Sequence, residues 1–280
     1  MINLANAGVQ AASRQQMVSR GVKPQSVTRL LSSTPPASTA LFLDFDGVLV
    51  DLAGRPEYIE VPDILRPALT RLEAATGQAL AVVSGRYLED LRQYLPDIPK
   101  TIVASHGAER AFAGQDVISH PLLGTDAVAR LHRIADSFSG TIKGVVLEKK
   151  PVGAVLHYRE NPALEESLHR ASRCLISILP EFEIHRAKCA FEIRPRDVSK
   201  RQAVIDLMQS PPFKERLPVY IGDDRTDEPA LGWVAEQGGI AIKVGEGETV
   251  APYRLGTPKD VIETLMRWLD DMGEHGCQVV

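Results

Sequence analysis

Asp44 and Asp46 lie at the end of the apolar run 41–45, and Gly47 follows them. Were this segment strand throughout, both carboxylates would share one face and be buried between sheet and helices at great cost. A strand ending near Asp44, with a turn at Gly47, brings both to a strand-end crevice instead. One carboxylate can then attack while the other moves protons. Other apolar runs end in groups of similar promise. Run 80–83 is followed by Ser84-Gly85-Arg86, run 101–104 by Ser105-His106-Gly107, and run 219–221 by Gly222-Asp223-Asp224-Arg225-Thr226-Asp227-Glu228. In open α/β sheets ligands bind beyond the carboxyl ends of the strands, so these segments converge on one edge.

Lys200 carries a separate signal. Ser199 and Gln202 have the S-x-x-Q spacing of a helix-capping box, which puts Lys200 in a first helical turn. A cation is electrostatically disfavoured there, so its placement points to an anion. Arg86, His106 and Gly107 are assigned to the neighbourhood of the substrate, Gly107 because it allows close backbone approach. His157 and His185 carry no partner signal in the sequence and receive no role.

Elements that could hold these groups follow from periodicity. From residue 41 onward, short apolar runs alternate with helical stretches, as in a parallel sheet with crossover helices. The runs are 41–45, 80–83, 101–104, 219–221 and 240–244, with helices expected over 63–76 and 259–272. Between 117 and 195 the pattern changes. Helical stretches near 125–138 and 163–179 are each followed by strands that alternate, as in Lys188-Cys189-Ala190-Phe191-Glu192-Ile193-Arg194. This alternation sets Lys188 and Glu192 on one face and Phe191 and Ile193 on the other. Glu148 and Lys150 share a face in the same way. The expected organisation is an N-terminal appendage (1–38), a Rossmann-like parallel-sheet α/β core (39–116 and 196–280), and an inserted α+β cap (117–195) with an open polar face.

A net charge of -4 over 280 residues argues against a nucleic-acid binder, which needs basic surface. A small phosphorylated ligand needs positive charge only locally. Three cysteines, Cys174, Cys189 and Cys277, have no metal-ligand spacing and suggest reduced thiols. There is no apolar run of membrane-spanning length and no signal-peptide core near the N-terminus, so the expected location is the cytoplasm.

The ordered motifs DFDGVLV, VVSGR, the lysine of VSKRQ and GDDRTDE resemble the four motifs of the haloacid dehalogenase superfamily of phosphatases. More narrowly, SHGAER, LEKKPVGAVLHYR, KCAFEIRP and GDDRTDE resemble the trehalose-6-phosphate phosphatases. The resemblance implies that Asp44 attacks phosphorus and becomes a phospho-aspartate, and that Asp46 protonates the leaving sugar oxygen and later activates water. It implies Mg²⁺ held by Asp44, the main-chain carbonyl of Asp46 and Asp223, with Asp224 and Asp227 orienting that site or the lysine. It places phosphate on Ser84, Gly85 and Lys200, and the sugar on Glu148, Lys150, Lys188 and Glu192 of the cap. Some positions depart from the family pattern: Val48 stands where relatives usually have threonine, Pro151 replaces a common glycine, and Arg201 follows the lysine where glycine is common.

The resulting expectation is a phosphatase acting on trehalose 6-phosphate. The same chemistry on sucrose phosphate or mannosyl-phosphoglycerate, and a sugar-phosphate-binding regulator without catalysis, remain as alternatives. The chain is too short to hold a synthase domain as well, which leaves room for association with a separate trehalose-phosphate synthase.

Overall fold

The computed structural model describes residues 24–53, 58–187 and 189–275. They fall into two compact units, one formed by the described residues between 24 and 116 with those between 200 and 275, the other by the described residues between 117 and 199.

The first unit is built on β1 (Thr39–Leu43), β2 (Leu80–Val83), β3 (Thr101–Ala104), β4 (Glu109–Phe112), β10 (Leu217–Gly222), β11 (Ile240–Val244) and β12 (Tyr253–Leu255), the intervening numbers belonging to the second unit. Their spatial order is β12-β11-β10-β1-β2-β3-β4, parallel except that β4 runs antiparallel to β3. Every residue of β1, β2, β3 and β11 is buried. That follows from helices lying on both faces and explains why these strands read as continuous apolar runs. Ala40, Phe42, Ala81, Val83, Tyr220 and Ala241 pack with Val204, Leu207, Leu231 and Val234. Those last four belong to the helices α6 (Lys200–Leu207) and α7 (Glu228–Glu236). Leu41 and Leu43, alternating with Phe42, face the other side.

Three more helices are α1 (Pro24–Ser32), α2 (Leu65–Ala75) and α8 (Pro258–His275), and both α1 and α2 pack against α8. The segment read from sequence as an appendage is, over its described part, attached. Val27 and Leu31 are fully buried, Ser32 Oγ donates to Asp271 at 2.6 Å, and Trp268 Nε1 donates to the Thr34 carbonyl at 2.8 Å. A fourth helix, α3 (Leu88–Tyr94), follows β2.

The second unit opens with β5 (Ile118–Ser119) and contains the antiparallel sheet β6-β7-β9-β8, formed by Val146–Lys150, Gly153–His157, Ala190–Pro195 and Phe182–Ala187 respectively. Helices α4 (Asp126–Thr141) and α5 (Glu165–Ser177) supply Val128, Leu131, Ala135, Leu168 and Leu175, at helical spacing, to a core with Leu156, Phe182, Phe191 and Ile193. The strand expected from Lys188 begins instead at Ala190, because the chain turns at Cys189 with φ of 55°. Lys188 itself lies outside the described residues.

Candidate active site

The first unit gathers carboxylates around one buried lysine at the carboxyl ends of β1 and β10. Asp44 leaves β1 with its N–H still donating to the Ile221 carbonyl at 3.0 Å. Its Oδ1 accepts from the Phe45 N–H at 2.7 Å, and its Oδ2 lies 2.8 Å from Lys200 Nζ. Lys200 is the first residue of α6 and reaches Asp227 Oδ1 as well, again at 2.8 Å. The three side chains are 3%, 5% and 0% exposed for Lys200, Asp44 and Asp227. Asp227 is saturated: Oδ1 also accepts the Tyr220 hydroxyl at 2.6 Å, and Oδ2 accepts the Asp224 N–H at 3.0 Å. A Cβ on Gly222 would stand 2.5 Å from the Asp227 Cβ, so this close approach needs glycine. Asp224 acts on the knot through its main chain, while its carboxylate meets Thr226 at the surface. Glu228 ties down the loop after β11 by accepting the Val250 N–H at 2.9 Å.

Electrostatics follow from burial. Burial, then the neighbouring Asp227, pushes the Asp44 carboxyl well above its ordinary value, with Lys200 opposing. Asp223 is raised to about 6 by burial and by Asp227. Burial alone would lower Lys200, but Asp227 and Asp44 outweigh it and hold the ammonium charged. For Asp227 burial is likewise overcome, by Lys200 and by the hydrogen bonds it accepts, so it stays ionised. Carboxylates of Asp44, Asp223 and Asp227 can each place an oxygen within 4.8 Å of the others. The buried ammoniums of Lys200 and Lys243 bring two positive charges to these three carboxylates, which leaves negative charge in excess. An all-oxygen donor set with excess negative charge fits Mg²⁺. Asp227 already takes three donors on its two oxygens, against one on each oxygen of Asp44, so Asp44 and Asp223 are the carboxylates better able to hold it.

Gly47 has φ of 73°, and a Cβ there would overlap the Asp223 carboxylate. The turn it makes is closed by the Phe45 carbonyl, which accepts from Leu49 and Val50 at 2.9 and 3.1 Å. That turn sends Asp46 to Arg86, whose Nε and Nη2 donate to its two oxygens at 2.6 and 2.7 Å. The Arg86 guanidinium also lies 5.8 Å from the Phe45 ring centre and 5.7 Å from that of Tyr94. This bidentate pair was not legible in the sequence, where Arg86 was assigned only to the substrate's vicinity.

Ser84 is buried, its N–H bound to the Val103 carbonyl at 2.8 Å, and its Oγ accepts the Arg86 N–H at 3.1 Å. The turn after β3 locks onto it: Ser105 N–H donates to the Arg86 carbonyl at 2.7 Å and His106 N–H to the Ser84 carbonyl at 2.9 Å. Ser105 and His106 hold φ of 48° and 57°, and Gly107 φ of 115°. Two successive non-glycine residues in this region cost about 1–3 kcal/mol each, strain typical of functional loops. The His106 ring covers Gly85 so closely that a Cβ there would stand 2.5 Å from Cε1.

On the polar face of the second unit, Glu148 is opposite Val155, Val155 opposite Glu192, and Glu192 opposite His185. Glu148 shares its carboxylate between His157 Nε2 at 3.0 Å and Lys150 Nζ at 3.4 Å. The His157 hydrogen bond, then Lys150, hold it down at about 2 against its burial. His185 Nε2 sits 2.5 Å from Glu183, and Arg194 Nη2 3.2 Å from His185 Nδ1. His157 and His185 thus have partners after all. The tight β6–β7 hairpin, pairing Lys150 with Gly153, sets the register that brings His157 to Glu148, and that hairpin was the available signal. His132 of α4 holds it by meeting the carbonyls of Lys150 and Gly153 at 3.1 and 2.8 Å.

Residues 42–258 match the trehalose-phosphatase family model. The chain belongs to that family. The mostly parallel α/β fold is shared with a haloacid dehalogenase-like hydrolase of Bacteroides thetaiotaomicron, which aligns with a TM-score of 0.60 at 16% identity over 81% of this chain and 98% of that one. The trehalose-6-phosphate phosphatase of Escherichia coli K12 is 35% identical over 240 residues, covering 84% of this chain and 89% of that one. A bifunctional trehalose-6-phosphate synthase/phosphatase of Thermoproteus tenax is 33% identical over 248 residues, 85% of this chain and 33% of that protein. In fold, the C-terminal domain of Candida albicans trehalose-6-phosphate phosphatase aligns with a TM-score of 0.73 at 20% identity, over 89% of this chain and 97% of that one.

Proposed function

We propose that the chain hydrolyses trehalose 6-phosphate to trehalose and phosphate through a phosphoryl group carried on Asp44. The observation that carries the reading is the buried Asp44 at the end of β1, held by Lys200 at 2.8 Å among acids suited to a divalent ion. Family membership and the Escherichia coli relative support the substrate.

In the proposed first half-reaction an Asp44 oxygen attacks phosphorus, and the sugar oxygen leaves with a proton from Asp46. In the second, Asp46 takes a proton from water as that water attacks the phospho-aspartate and releases phosphate. To serve either half, Asp46 must turn away from Arg86, and Arg86 is then released toward the phosphate or the sugar. Lys200, the Ser84 hydroxyl and the Gly85 N–H supply positive charge and donors to the transferring group. Mg²⁺ on Asp44, the Asp46 carbonyl and Asp223 would offset the repulsion between carboxylate and phosphate. Glu148, Lys150, Lys188 and Glu192 would read the sugar hydroxyls with mixed donors and acceptors, and His106 and Gly107 would border the substrate.

The proposal includes a cytoplasmic location; among the described residues no helix is long and apolar enough to cross a membrane. It also includes association with a separate trehalose-phosphate synthase, for which the bifunctional Thermoproteus relative is the support.

The test is phosphate release from a panel of sugar phosphates with Mg²⁺, beside an Asp44→Asn control. Strong preference for trehalose 6-phosphate, abolished in the control, is the expected result. Release spread over simple sugar phosphates would overturn the substrate, and release independent of Asp44 the mechanism.

A further inference from the structure

Lys243 is a charged residue where the fold calls for an apolar one. It is the fourth residue of β11, Ile-Ala-Ile-Lys-Val, whose five residues are all buried, and it is 4% exposed. A lysine so placed needs a partner that repays its lost hydration. Its register partner is Gly222, the last residue of β10, so the parallel ladder stops there. The next carbonyl, that of Asp223, has run past the ladder. Lys243 Nζ donates to that carbonyl, and also to the Val244 carbonyl at 2.9 Å. The ammonium thus staples the two strand ends across the point where sheet pairing ends, and places a positive charge behind the carboxylate cluster.

Asp223 is consequently fixed from two directions. Gly47 abuts its carboxylate in front, and Lys243 holds its main chain behind. Asp223 itself lies just past the end of β10, outside any strand or helix.

We infer that Lys243 is a positioning residue for the metal site: its buried ammonium holds the Asp223 backbone so that the Asp223 carboxylate is preset for Mg²⁺. The inference rests on the proposed role of Asp223 as a magnesium ligand. Partners that orient a metal ligand are worth about 10–100-fold in metal affinity, and Lys243 should fall in that range.

The experiment is calorimetric titration of Mg²⁺ into the metal-free full chain, for the wild type, Lys243→Met, Asp223→Asn and the strand control Ile242→Val. Each is first checked for folding by circular dichroism. Lys243→Met should raise the Mg²⁺ Kd at least tenfold and regain most of its kcat at saturating Mg²⁺. Ile242→Val should leave Kd within twofold of the wild type. If Lys243→Met does not fold, Lys243→Gln, which keeps a donor but loses the charge, is read by the same criteria. A folded Lys243 variant with wild-type Mg²⁺ affinity overturns the inference, as does an equal loss in the Ile242 control. Should Asp223→Asn bind Mg²⁺ as the wild type does, the ligand assignment fails instead.

Discussion

Replacing Lys200 with methionine removes the ammonium held between Asp44 and Asp227 while keeping all but the last atom of the side chain. Both carboxylates lie 2.8 Å from it and are at most 5% exposed. Leaving a buried charge without its partner costs about 3–5 kcal/mol. At about 2–4 °C per kcal/mol for a unit of this size, melting should fall by roughly 6–20 °C at pH 8. The loss must depend on pH in a set direction. Asp44 already has a raised carboxyl, and without Lys200 it is raised further. A carboxylate with a folded value above its unfolded one contributes stability at low pH that is lost as pH rises through the folded value. Lys200, raised in the wild type, keeps its contribution throughout the pH range below the ordinary lysine value. The deficit of the variant should therefore be small near pH 5 and largest at pH 8, measured by scanning calorimetry. The kcat/KM should drop by about 10²–10³-fold, the usual effect of removing a preset donor to the transferring group. Adding Asp227→Asn should restore part of the stability, because the second unpaired charge is gone. Melting within about 1 °C of the wild type at both pH values would refute this account of the knot.

Other outcomes follow from the same geometry. Asp223 sits at about 6 without metal, so Mg²⁺ must displace its proton below that pH; affinity should weaken by up to about tenfold per pH unit there, with proton uptake by buffer visible in calorimetry. Gly47→Ala combines a left-handed φ of 73° with a Cβ overlapping the Asp223 carboxylate, so it should abolish Mg²⁺ binding and activity while circular dichroism stays near wild type. His157→Ala frees one oxygen of Glu148, and should raise KM for the sugar phosphate by about 10-fold with kcat nearly unchanged, the pattern of lost uniform binding. Because Glu148 is held at about 2, its contribution to KM should stay flat between pH 5 and 8, which a pH series of KM checks.

Much of the core site was legible because buried parallel strands announce themselves as apolar runs, and whatever follows each run must lie at the ligand-binding edge. Asp44, Ser84 and Asp223 were singled out this way and Lys200 by the capping-box spacing around it, and the structure brings Asp44, Lys200 and Asp223 into one cluster. Asp227 was ambiguous in sequence, since an acid in a first helical turn suits the dipole anyway; its three accepted hydrogen bonds could be seen only in three dimensions. The Asp46–Arg86 pair joins loops forty residues apart, and no local pattern encodes it. Lys243 was hidden inside an apolar run, where one polar residue looks like noise until the ladder's end is located. The helix Pro24–Ser32 was missed as part of the core because its Ser- and Gln-rich flank masks Val27 and Leu31, which α8 buries.

The central claim is that phosphate passes through Asp44, and the direct measurement is acid quench of the Mg²⁺-loaded enzyme during turnover of radiolabelled trehalose 6-phosphate, followed by peptide mapping. The account predicts label on the peptide containing Asp44, stable in acid and lost in base, and absent from Asp44→Asn. Label on another residue, or turnover at the wild-type rate with no label on the protein, would contradict it.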